Sequence, residues 1–186
     1  MKQARTCLRI TLACHLAACV LVAHNTGAPP QAPAFADYKA APAFSAKPAV
    51  PQMNTPNARR FRTVIRDGAV SGPNFDGRYT VVEWGCGAAC AQFSIVEART
   101  GKVFDPSFQS VSFGDELHGF VEDSGFRYQL DSSLMEINGC LNGDECASWY
   151  FVWNGSELKL IQKLPAKVLP PPGIELLVLR WSPEHL

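Results

Sequence analysis

Seven cysteines pose the first chemical question in this 186-residue sequence. Cys7, Cys14 and Cys19 fall in an amino-terminal stretch that reads as an export leader, which leaves Cys86, Cys90, Cys140 and Cys146 for the mature chain. An even four in an exported chain points to two disulfides. Zinc is also served by four thiolates, but Cys-x3-Cys and Cys-x5-Cys are not the usual knuckle spacings, so no metal is expected. Thiol oxidoreductases favour Cys-x-x-Cys at a helix start, where the dipole lowers the thiol pKa. Here the spacing is one residue longer and the context is strand and turn, so the sulfurs are expected to be structural.

Four cysteines permit three connectivities, and two arguments pull apart. Chain entropy gives about 2 kcal/mol for a five-residue loop and about 4 kcal/mol for one of some 55 to 61 residues, which favours crossed pairs. Local pairs are favoured by what lies between the cysteines. Residues four apart on a strand are about 13 Å from each other, whereas a disulfide needs Cα atoms within about 7 Å, so a Cys86–Cys90 bond requires a turn. Gly85, Gly87, Ala88 and Ala89 are small enough to supply one, and Leu141-Asn142-Gly143-Asp144-Glu145 offers the same between Cys140 and Cys146. The expectation leans to local bonds that pin loop shape.

Hydrolytic chemistry is poorly supplied. Beyond the leader the histidines are His118 and His185, and no Gly-x-Ser-x-Gly motif accompanies them. The acidic pairs Glu122-Asp123 and Asp144-Glu145 are sequence neighbours, which point to opposite faces of a strand rather than across a cleft. No calcium loop with alternating ligands is present. The reading is a protein that is not an enzyme and needs no cofactor.

Two constellations could bind. Trp149, Phe151 and Trp153 alternate along one strand and so share a face. Exposed, Trp149 and Trp153 would stack on sugar rings; buried, the stripe is core, and large aromatics dominate the cores of small domains. The second constellation is Ser124-Gly125-Phe126-Arg127-Tyr128, which is similar to the Ser-Gly-x-x-Tyr signature of periplasmic lysozyme inhibitors. That resemblance implies that Ser124 and Tyr128 would enter the lysozyme cleft.

These residues must be positioned by strands. Lys2, Arg5 and Arg9 precede an apolar run from Ile10 to Ala23, too short for a membrane span of about 20 residues. Residues 1–36 therefore read as the export signal, with a small-x-small site at Ala34-Phe35-Ala36. Leu16-Ala17-Ala18-Cys19 competes as a lipobox that would make Cys19 the acylated first residue. Residues 37–60 read as a Pro/Ala-rich, disordered tether, and 61–186 as the folded domain. Arg62 to Arg66 is expected as a first strand, followed by Arg78 to Trp84, Gln92 to Ala98 and Lys102 to Phe104. Later come Phe126 to Leu130, Leu134 to Asn138, Ser148 to Trp153, Leu158 to Lys163 and a closing strand at Ile174 to Trp181. Asn154-Gly155, between two alternating runs, is the strongest hairpin signal. The fold class is all-β, an antiparallel meander forming a small barrel or sandwich.

The series Asn74-Phe75-x-Gly77-x-Tyr79, Trp84-Gly85-Cys86-Gly87-x-x-Cys90, Ile95-Val96-Glu97-x-x-Thr100-Gly101-x-Val103 and Tyr150-x-x-Trp153-Asn154-Gly155 resembles a family of small exported bacterial proteins. The resemblance implies an exported β-rich domain and brings no activity. Lys plus Arg and Asp plus Glu are equal at 17 each, yet from Thr63 onward nine basic side chains face sixteen acidic ones. That balance repels a phosphate backbone, which excludes nucleic acid. The sequence thus describes a periplasmic or secreted non-catalytic binding or envelope-associated module. Its partner would be an envelope protein or glycan, and its membrane contact a lipid anchor at Cys19.

Overall fold

The structure is a computed structural model that describes residues 30–115 and 119–170. Cys19, His118, His185 and the strand expected at 174–181 lie outside the described residues. Alternating apolar residues build an antiparallel hairpin of β1 (Tyr79–Gly87) and β2 (Cys90–Glu97), in register from Tyr79 opposite Glu97 to Trp84 opposite Gln92. β3 (Val103–Phe104) returns on β2 through the expected Arg99-Thr100-Gly101 turn. In the second half, β7 (Gly125–Tyr128), β8 (Leu134–Leu141), β9 (Cys146–Trp153) and β10 (Leu158–Pro165) pair as an antiparallel meander. β4 (Val111–Ser112) joins the halves, bonding Cys90 and Ala91 on one side and Leu141 and Cys140 on the other. A small second sheet contains β5 (Gly114–Asp115), β6 (Gly119–Val121) and β11 (Val168–Leu169).

The eight-stranded sheet runs from β1 to β10 and does not close into a barrel. It curls instead, so that the inner faces of β1–β2 and β8–β9 share one core. Tyr79 meets Trp153 edge to face at 5.2 Å between ring centroids, and Phe93 meets Phe126 at 5.1 Å. Phe75, Phe93, Ile95, Met135 and Ile137 are buried in this core. Period-two patterning accounts for it, because Val81, Phe93, Ile137 and Phe151 each sit on the core side of their strand. The other face of β1–β2, with Val82, Val96 and Trp84, packs on a smaller apolar cluster.

That cluster corrects one expected element. Arg62 to Arg66 is helical, within α2 (Arg62–Ala69), which follows the single turn α1 (Pro56–Arg60). Thr63, Val64 and Ile65 carry a strand-like local preference, but Ile65 and Ala69 lie four apart and both are buried against β1. Burial at helical spacing outweighs propensity here. The start is also set chemically, since Thr55 Oγ1 accepts a hydrogen bond from the Ala58 backbone N–H and Pro56 takes the first turn.

The segment before α1 is extended, as its composition suggests, but it is strapped to the body rather than hanging from it. Ala40, Phe44, Ala49 and Gln52 donate backbone hydrogen bonds to Asp131, Gly77, Ala98 and Gly101. Pro51 is buried. The strap also includes residues that the export reading assigns to the leader. Phe35 to Asp37 form a 3-10 turn, and the buried Ser132 hydroxyl donates to the carbonyls of Phe35 and Tyr38. Prolines keep the segment extended with a single antiparallel bridge, Lys39 to Ser132, while four of its N–H groups find carbonyls on the domain.

Candidate functional site

Both cysteine pairs are local. The β1–β2 register slips between Gly85 and Gly87, leaving Cys86 on a bulge that turns its side chain toward Cys90, with Cα atoms 5.2 Å apart. The Ala88-Ala89 turn closes the hairpin, and Ala89 takes a left-handed φ of 47°. Cys140 and Cys146 are directly opposed on β8 and β9, with Cα atoms 3.8 Å apart. Their loop turns through left-handed Asn142 and Gly143, the turn chemistry that the sequence offers. Ser112 of β4 pairs with Cys90 on one side and with Cys140 on the other. The two staples therefore flank the short strand that ties the halves of the sheet together.

Beside the second staple the surface opens next to the aromatic stripe. A groove of about 480 Å³ opens between β9–β10 and the Ser107–Phe108 segment, with Leu141, Trp149, Phe151, Leu158 and Leu160 among its walls. Asp144 and Glu145 stand at its rim. The half-buried Trp149 ring is held by its Nε1, which donates to the Gly139 carbonyl at 2.9 Å. Lys163 lies 5.3 Å from the ring centroid and reaches Glu145 at 2.7 Å, a cation shared between ring and carboxylate. The rim loop is tied across the opening, because Asn142 Oδ1 accepts the Gln109 backbone N–H at 2.8 Å.

The stripe does not form an exposed sugar platform. Trp153 is 4% exposed and Phe151 is 5% exposed, so both belong to the core; Trp149 and the buried Phe151 line the groove, and Trp153 does not. The reason is the curl of the sheet, which turns this face of β9 inward onto Phe75, Tyr79 and Phe108. A pair of tryptophans stacking on a glycan is thereby ruled out at Trp153.

Ser124 and Tyr128 are likewise not a convergent pair. Ser124 is exposed in the turn before β7, while Tyr128 ends that strand, so they stand about 13 Å apart along extended backbone. The Tyr128 hydroxyl donates to Glu83 Oε1 at 2.7 Å, and its ring meets Phe75 edge to face. Burial raises the Tyr128 hydroxyl above the ordinary tyrosine range, and the adjacent Glu83 carboxylate adds to the effect. Burial also raises Glu83, partly offset by the bond from Tyr128. This pair closes the gap between β1 and β7, a structural use of the tyrosine that a five-residue motif does not reveal.

Phe108, Leu158 and Leu160 are groove residues that the sequence reading passed over. Leu158 and Leu160 lie two apart beside the Asn154-Gly155 turn, and that spacing on one strand face is the signal the sequence offered; in the structure Leu160 is 47% exposed on an edge strand. No protein-family model, curated protein or solved structure matches the chain.

Proposed function

We propose that the protein is an exported, non-catalytic binding module, periplasmic or secreted, that takes its ligand in the Trp149 groove. The observation that carries the reading is the groove itself: an open channel at the β10 end of the unclosed sheet, with apolar walls and acidic groups at its rim, and with its rim loop fixed by a disulfide. Preorganised apolar walls with a few polar groups at the edge are the usual form of a binding cleft. The wall chemistry favours a protein segment over a glycan. Sugar recognition stacks a ring on an open aromatic face, whereas Trp149 is half-buried with Lys163 already over its ring, and Phe108, Leu141, Phe151, Leu158 and Leu160 line the groove beside Ser107, Asp144 and Glu145. Asn142 already spends its carbonyl oxygen on Gln109. The occupant is thus an extended stretch of an envelope protein, and Asp144 and Glu145 favour one that carries a cation.

The test is photocross-linking in living cells from a photoreactive residue placed at Ser107, with the exposed Asp123 as a control position. The expected result is a discrete cross-linked polypeptide from position 107 that weakens when Leu160→Arg blocks the groove. Cross-links of equal yield from both positions, or products bearing glycan alone, would overturn it.

A further inference from the structure

We infer that the face formed by α2 and the strap is a docking surface for an anionic phospholipid membrane, a contact separate from the Trp149 groove. The chain divides sharply in charge. Residues 30–70 hold six basic and two acidic side chains, whereas residues 71–170 hold seven basic and thirteen acidic ones. Folding gathers the positive share on one side chain stripe and its surroundings. Arg62 and Arg66 are four apart and exposed on α2, and Val70 continues the same stripe. Lys47 approaches from the strap, while Arg59 and Arg60 add two exposed cations on α1. None of these five pairs with a carboxylate among the described residues.

Charge alone would be a solvated face; the apolar groups among the cations set this one apart. Val50 is 74% exposed and Val70 is 77% exposed. An apolar slot of about 270 Å³ lies between Pro48, Val50, Pro51 and Val70, with Lys47 and Arg66 at its edges. Cations beside exposed aliphatic groups match a phospholipid in both parts, phosphate at the rim and upper acyl chain in the slot. A soluble polyanion would leave the valines in water. No helix among the described residues is long and apolar enough to cross a membrane, so this contact is peripheral. The more acidic remainder is repelled by the same surface, which orients the domain with α2 toward the lipid.

Hydrogen exchange on the processed protein, mixed with vesicles of phosphatidylglycerol or of phosphatidylcholine, reads this face whether or not a lipid anchor is also present. Slower exchange across 47–51 and 62–70 is expected with phosphatidylglycerol and not with phosphatidylcholine. Arg62→Glu with Arg66→Glu should abolish that protection while far-ultraviolet circular dichroism is unchanged. Val50→Ser with Val70→Ser, which leaves charge alone, should weaken it. The inference fails if these segments exchange equally fast with and without phosphatidylglycerol, or if the valine variant is protected like the parent. Protection by soluble heparin in the absence of any by vesicles would assign the face to a soluble polyanion and overturn it too.

Discussion

Two glycines hold the strap by having no side chain. The Gly77 and Gly101 backbones are left-handed, at φ of 70° and 75°, and a Cβ on either would run into a strap carbonyl, that of Ala41 or Val50. Gly101→Ala combines backbone strain with that clash and should cost about 2 kcal/mol or more in chemical denaturation. Gly85→Ala is the control: its Cβ would meet nothing closer than 3.9 Å, and the change should stay within about 0.5 kcal/mol. At the same scale, Glu83 makes stability depend on pH. The folded protein holds the Glu83 proton more tightly than the unfolded chain, so this contribution is most favourable below the ordinary glutamate range. It declines as pH rises through that range toward the raised folded value. Glu83→Gln should flatten the melting temperature between about pH 4 and about pH 7 relative to the parent, and a steeper decline in the variant would contradict the assignment.

Elements were legible in the sequence where pattern and packing agree. β1, β2, β8, β9 and β10 fall where apolar runs and Gly/Asn turns put them, because a one-residue slip would carry the core residues of β1, β2 and β9 to the wrong face. Asn154-Gly155 connects β9 to β10 as read, and both cysteine pairs bracket the turns that their spacing suggested. Two things were not legible. Helix α2 depends on Ile65 and Ala69 finding β1, a long-range fact that local β-branching hides. The strap depends on carbonyls contributed by Gly77, Ala98, Gly101 and Asp131, which no composition rule for proline-rich segments contains. Of the candidate site, Trp149 was visible as one of three alternating rings, but which of the rings line the groove is decided by the curl of the sheet. The strap also yields a prediction at its own scale. A chain beginning at Asp37 lacks the Phe35 carbonyl, leaves the buried Ser132 hydroxyl with the Tyr38 carbonyl alone, and should lose about 1 kcal/mol of stability. Equal stability of that chain would show that the turn at Phe35 contributes nothing.

At the scale of the whole molecule, the sheet curls without closing, and its free end at β10 borders the groove proposed to bind. What keeps the two halves in place is concentrated at β4, where two residues are flanked by Cys90 and Cys140. Because each bond closes a short loop, it adds only about 2 kcal/mol by chain entropy; its larger effect is to fix the hairpin tip and the groove rim. The chain is therefore an oxidised body whose ligand-facing loop is shaped by Cys140–Cys146. Tryptic digestion without reduction, followed by mass spectrometry, reads this directly, since cleavage after Arg78, Arg99, Arg127 and Lys159 isolates each pair on its own peptide. Tyr79–Arg99 and Tyr128–Lys159 are expected as separate peptides, each lighter by two hydrogens than its reduced form. A single product joining the two peptides, or four cysteines open to alkylation, would contradict local pairing.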